Sequence, residues 1–259
     1  MRQLFRTVGS TITKEIKATQ ISIPPRLFSA VIRVVAIAWI ARAAGMPEVA
    51  TYLAIGAAMI RIWSGAIATG GWAMSNEMGA GTLDFVLISG APLPIILFSK
   101  ILATILYEIL PALVSMVAVL VVSGTIPHVE NVPMLVVSFV FAVLGVAAIG
   151  FFFCVLIVLV GGRAGFFMGL IPFGAVLGGF VLPLEQMPNV IRGLSMLVPS
   201  SWAMNSIWQC VARDSDLGGI VFNLLVSILL SIIWLYISWQ LCKRGERRII
   251  INGDLSRQW

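Results

Sequence analysis

The sequence predicts an all-α polytopic membrane protein: six transmembrane helices, preceded by an N-terminal amphipathic interface helix. Three observations predict it. Of the 259 residues, 59% are hydrophobic and 11% are charged, with a mean hydropathy of +1.03. A soluble domain has no interior large enough to hide that much apolar surface. The apolar residues fall in runs long enough to cross a bilayer, and the basic residues gather at the ends of those runs.

Residues 1–20 carry Leu4, Phe5, Val8, Ile12 and Ile16 at helical spacing, with Arg2, Arg6, Lys14 and Lys17 largely on the other side. This is the pattern of a helix lying on the membrane surface. The stretch is too charged for a signal peptide and lacks a short apolar run ending in a small-residue cleavage site. The first transmembrane helix is therefore expected to direct insertion. Pro24 and Pro25 turn the chain into the bilayer. The six spans are placed at roughly 27–45, 50–72, 98–122, 133–160, 165–183 and 219–242. Each is about 20 residues long, to match a hydrocarbon core about 30 Å thick. Helices are the expected form, because backbone groups in lipid must be paired within the segment.

Orientation follows from the basic residues. With the N-terminus inside, the cytoplasmic side collects Arg2, Arg6, Lys14, Lys17, Arg26, Lys100, Arg163, Lys243, Arg244, Arg247, Arg248 and Arg257, and the outer side only Arg42, Arg192 and Arg213. The positive-inside bias thus predicts both termini in the cytoplasm of a cell-membrane protein. The net charge of +6 is assigned to anionic lipid at span ends, with no nucleic-acid partner. The run Lys243 to Arg248 heads a cytoplasmic tail, 243–259.

Three charges fall within spans. Arg33 lies near the inner end of the first and can snorkel. By helical rise, Arg61 sits about 16 Å from the outer side of span two and Glu108 about 15 Å from the inner side of span three. An unpaired charge at that depth costs roughly 3 kcal/mol on insertion scales. Arg61 and Glu108 are therefore expected to pair, or to face a polar cavity. A static pair holding the two spans together and a role in substrate passage or gating are both open. Glycines recur in spans two and five: Gly56, Gly65, Gly70 and Gly71 in the former, Gly161, Gly162, Gly165, Gly169, Gly174, Gly178 and Gly179 in and before the latter. Gly165-xxx-Gly169 and Gly174-xxx-Gly178 let helices approach closely, within one chain or between two copies. Pro111 and Pro172 are expected to kink their spans.

Two segments interrupt the spans. Glu77 to Lys100 reads EMGAGTLDFVLISGAPLPIILFSK. Within it, Thr82 to Ser89 has Leu83, Val86 and Leu87 on one face of a short amphipathic helix. Gly79 and Gly81 loosen its entry, and Pro92 and Pro94 are expected to block helix continuation. An ordinary surface helix, or one that transmits a push from a soluble partner, would fit. Gly178 to Trp202 reads GGFVLPLEQMPNVIRGLSMLVPSSW. Pro183, Pro188 and Pro199 break it too often to cross the membrane, so two short helices that dip in and return are expected. Trp202 and Trp208 then reach the outer interface. An external gate and a folded loop with interfacial anchors are the two readings.

The pattern Glu77, then Gly81-Thr82-Leu83-Asp84, an apolar pair, Ser89, Pro92 and Lys100 resembles the permease subunits of type-2 ABC exporters. The second block resembles the same family's external re-entrant hairpin, and span count and loop order agree along essentially the whole chain. The resemblance implies that 77–94, with Glu77, Gly81, Thr82, Leu83, Asp84, Val86 and Leu87, is a coupling helix that docks on a separate ABC ATPase. It implies two ATPase copies and a second permease copy, a homodimer in preference to a heterodimer. Gly56, Gly65, Gly165, Gly169, Gly174 and Gly178 would line the contact between copies or the pathway. Pro183, Met187, Pro188 and Pro199, in the hairpin 185–202, would form the external gate. The interface helix would touch the ATPase as well as lipid.

No phosphate-binding G-x-x-x-x-G-K-[ST] run is present; Gly161-Gly162-Arg163-Ala164-Gly165 lacks the lysine and the hydroxyl. The chain is thus expected to bind no cofactor itself, with ATP and magnesium on the partner, and to be no enzyme. Its one histidine, His128, and its three dispersed cysteines suggest neither a nucleophile nor a metal site. The resemblance implies export of an amphipathic or hydrophobic substrate (a drug, peptide antibiotic or lipid) out of the cytoplasm or inner leaflet. Export of a lipid-linked polysaccharide, or ion-coupled secondary transport through Arg61 and Glu108, are the alternatives. The latter predicts inverted repeats, and none is visible.

Overall fold

The computed structural model of the chain describes residues 35–39, 42–43, 47–79, 92–124, 126–127, 129–159, 169, 171–211 and 216–252. All regular structure among them is helical. Seven α-helices and one 3₁₀ turn follow in order: α1 Pro47–Gly79, α2 Leu93–Ser123, α3 Val132–Leu159, α4 Ile171–Leu177, the turn Leu184–Gln186, α5 Asn189–Ser195, α6 Pro199–Val211 and α7 Leu217–Asn252. Residues 35–39 are also helical. Four helices, α1, α2, α3 and α7, are long and apolar enough to cross a membrane. These answer to four of the six expected spans. The interface helix, most of the span at 27–45 and the first part of the span at 165–183 lie outside the described residues.

Helix ends follow local chemistry. Pro92 and Pro94 do not merely stop a helix; they start α2, with Pro92 at the N-cap and a proline in the first turn. The first turn leaves N–H groups without helical partners, so a missing one costs little there. At the other end, Gly124 takes φ +65° and donates its N–H to Leu120 and Val121, a left-handed cap that glycine adopts without a side-chain clash. Asn131 Oδ1 accepts from Met134 N at the start of α3. Asp216 caps α7 with both carboxylate oxygens, 3.0 and 3.1 Å from the N–H groups of Gly218 and Gly219.

α1 and α2 run antiparallel: Ala54 and Ala57 meet Val119, and Arg61 meets Glu108. Ala38, from the helical residues 35–39, joins the same small cluster. α1 forms the axis of the bundle. In its apolar window, Glu48–Ile67, 83% of residues are buried, against 33% for α2 and 28% for α7. The exposed faces of α2 and α7 are apolar, with Leu110, Val117 and Val121 on one and Phe222, Leu225, Leu229 and Tyr236 on the other. Such faces suit a lipid surround. Because lipid tails are as apolar as these side chains, close packing rather than water exclusion holds such helices together. The core supplies that packing with aromatic rings. Trp63 lies edge-on to Phe153 and tilted to Phe180, and Tyr52 lies edge-on to Trp208 at 5.4 Å.

Several boundaries differ from expectation. α1 continues to Gly79, so Glu77 lies in its last turn and not in a loop. Lys100, read as the end of the interruption, is buried well inside α2. Pro111 sits within α2 and the helix continues on both sides, whereas Pro172 falls in the first turn of α4. The span expected at 165–183 ends as a helix at Leu177; Gly178 and Gly179 turn the chain, with Gly179 at φ +77°. Hydropathy misses this turn because the apolar run continues through Phe180, Val181 and Leu182. α7, expected to stop at 242, runs on to Asn252. At 36 residues it is about 54 Å long, longer than a hydrocarbon core, so the basic run Lys243–Arg248 belongs to the spanning helix itself.

Candidate functional site: a buried charge pair and a helical hairpin

The structure brings Arg61 and Glu108 together. Arg61 Nε lies 2.8 Å from Glu108 Oε2, and Arg61 Nη2 donates to Glu108 Oε1 at 3.5 Å. Two adjacent guanidinium nitrogens thus face both carboxylate oxygens. The side chains are 11% and 2% exposed. One turn on from Arg61, a Cβ at Gly65 would stand 2.5 Å from Glu108 Cγ. Gly65 is therefore the seat of the acid: any side chain there would displace the carboxylate from the arginine.

The other glycines also meet atoms of this chain. A Cβ at Gly56 would collide with the carbonyl of Phe180, and one at Gly174 with the indole of Trp63. Gly178 is closed off by the Phe180 ring and the Gly174 carbonyl. These contacts belong to the packing of α1 against α4 and the turn after it. Gly169 is exposed in a turn, and Gly165 lies outside the described residues.

The segment from Gly178 folds back into the bundle. Tyr52 OH donates to the Gly179 carbonyl, which pins the turn beside the start of α1. Pro183 then caps the 3₁₀ turn, and Pro188 caps α5. Met187 is buried, and Ser195 Oγ donates to its sulfur at 3.3 Å. Pro199 begins α6, which runs past the expected end at Trp202 to Val211. The tip between the two helices lies deep. Pro199 meets Ser227, ten residues into α7, about 15 Å along its axis. The segment does form two short helices, α5 and α6, with the second longer than expected.

Sequence reasoning missed how the tip is held. Ser227 Oγ donates to the Pro199 carbonyl at 2.8 Å, and Trp234 Nε1 to the Leu197 carbonyl at 2.9 Å. These two donors lie seven residues apart, on one face of α7. Trp202 Nε1 reaches back to the Met196 carbonyl, and Ser201 Oγ to those of Ser195 and Val198. Each tip carbonyl that the turn leaves open thus finds a side-chain donor, as a break in regular backbone at membrane depth requires. Trp202 and Trp208, read as interfacial anchors, each have a partner within the chain.

Of the coupling residues, Gly81, Thr82, Leu83, Asp84, Val86 and Leu87 lie outside the described residues, and Glu77 is placed by its backbone alone. The return into α2 is described. Leu93 N donates to Glu246 Oε1 of α7 at 3.5 Å, and Gly245 fits flush against Leu159 of α3. The one acid in the basic run therefore faces the positive N-terminal end of α2, where a carboxylate is favoured. Cys154, Cys210 and Cys242 are buried and not joined in disulfides, and no group of metal-ligating side chains occurs among the described residues.

Among the described residues, four helices long and apolar enough to cross a membrane surround a buried charge pair and a helical hairpin, the architecture of a multi-pass membrane protein. Residues 3–240 match the family described as ABC-2 family transporter protein. The chain belongs to that family, whose members are membrane transport components that work with an ATPase partner and are not themselves catalytic. No curated protein matches the chain.

Proposed function

We propose that the chain is the membrane-spanning subunit of an ATP-driven exporter that moves an amphipathic or hydrophobic substrate out of the cytoplasm or inner leaflet. The observation that carries this reading is family membership across residues 3–240 in a chain without a phosphate-binding loop. Two ATPase subunits supply ATP hydrolysis with magnesium, and a second copy of the permease completes the path. The ATPases push on Thr82–Ser89, and the push enters the start of α2. α2 carries it to α1 through Arg61–Glu108 and meets α7 at Glu246. α7 holds the hairpin tip through Ser227 and Trp234, so the same push reaches the gate formed by Pro183, Met187, Pro188 and Pro199.

Co-purification of the chain with its ATPase tests the docking site. Wild type retains the ATPase, and Asp84→Lys and Leu87→Arg lose it. Retention by both variants would move the docking site to the N-terminal segment or the basic end of α7. An ATPase that never binds wild type would end the exporter reading.

A further inference from the structure

Beside the hairpin tip lies a cavity of about 160 Å³. Its walls are Trp63, Phe152, Phe173, Leu177, Val198 and Trp234, drawn from α1, α3, α4, the tip and α7. We propose that this cavity binds a single hydrocarbon chain, entering from the flank of the bundle between α4 and α7.

Three observations support it. The lining is almost wholly carbon, because both indoles spend their N–H groups elsewhere: Trp63 on the Ile171 carbonyl at 3.1 Å and Trp234 on the Leu197 carbonyl. Only ring carbon is left to face the space. Water there would lack partners, and apolar cavities of this size stay dry and take hydrocarbon guests. Second, the cavity is built rather than left over. Gly174 has no Cβ where one would overlap the Trp63 ring, and Phe153 stands edge-on to the same ring. Third, the cavity is open on one side, where Phe173 is exposed, and the neighbouring face of α7 presents Ile233 and Ile237 to the surround. Around a spanning bundle that surround is acyl chain. The source is a bilayer lipid or the tail of an amphipathic cargo; the chemistry is the same. Val198 and Trp234 are both wall and tip support, so an occupant touches the hairpin directly. The proposal deepens the exporter reading by giving its cargo a contact site, but its measurement needs neither ATPase nor transport.

The test is photo-crosslinking of the full chain in nanodiscs of phosphatidylethanolamine and phosphatidylglycerol. One arm carries a trace of diacyl phospholipid with a diazirine in its tail, and the other a single-chain diazirine amphiphile. Labelled peptides are mapped by mass spectrometry. Label is expected on Phe152 and Leu177, lost in Val198→Phe, which fills the space; in Phe152→Ala, which enlarges it, label on Leu177 increases. Label on Val117, a lipid-facing position of α2, stays constant. Constant label on Val117 and an unchanged thermal midpoint in both variants separate a filled or enlarged cavity from a lost fold. Label in the phospholipid arm makes the guest a bilayer lipid; label only in the single-chain arm makes it a cargo tail. Cavity label that tracks Val117 in all three proteins, or is missing in both arms, overturns the proposal.

Discussion

α1 is joined to α2 through charge, whereas the hairpin tip is joined to α7 through neutral hydrogen bonds to carbonyls. The two joints differ in what breaking them strands. A buried guanidinium deprived of its carboxylate has no water to turn to, so the first joint resists opening. A serine or indole that lets go of a carbonyl strands a neutral dipole, which costs less than a stranded charge, so the second joint yields before the first. In the exporter proposed above, the first joint carries the push and the second yields to it.

The largest expected effect comes from removing one charge. Glu108→Ala strands Arg61 and should destabilise the chain by about 3–5 kcal/mol, read as a large fall in thermal midpoint in detergent. The charge swap Arg61→Glu with Glu108→Arg should recover part of that loss; no recovery would show that the two groups do not act as a pair. Next is Gly65→Ala. Its Cβ would press on Glu108 where the carboxylate is tied to Arg61, and overpacking of this kind costs roughly 1–3 kcal/mol. The penalty should shrink in a Glu108→Ala background, where the clash is gone. An undiminished penalty would detach Gly65 from the pair.

Smaller again is Trp234→Phe, which keeps the ring and removes the donor. It should cost about 1 kcal/mol and leave the thermal midpoint nearly unchanged. Maleimide should instead react faster with a cysteine placed at Leu197, which is exposed at the tip. Ser227→Ala should act in the same direction. If neither changes the labelling rate while the midpoint falls, the tip is part of the rigid core and the contrast between the joints fails. The smallest effect is expected for Glu246→Gln, which keeps an acceptor for Leu93 N but removes its charge: roughly 0.3–1 kcal/mol, lost as salt is raised.

Which parts were legible in the sequence follows from what lipid penalises. The runs read at 98–122 and 133–160 became Leu93–Ser123 and Val132–Leu159, because a bilayer demands unbroken apolar length. Arg61 and Glu108 stood out because charge at that depth must find a partner. Gly65 gave no such sign: a glycine in an apolar helix looks the same whether it faces lipid, another helix or an acid. Ser227 and Trp234 were equally silent. A serine bonding its own helix and a tryptophan at an interface are the commoner uses of those residues, and only the position of the tip gives them another.

The chain by itself determined that it crosses a membrane, where its long helices run, and that two opposite mid-span charges need a partner or a polar cavity. These follow from the cost of placing polar atoms in hydrocarbon, a property each residue carries wherever it is folded. Tertiary structure decided which glycine seats the acid, where the fifth apolar run turns, and which donors satisfy the tip carbonyls. Those depend on which surfaces touch, and contact between elements more than a hundred residues apart, as between Tyr52 and Gly179, leaves no periodicity in a single sequence.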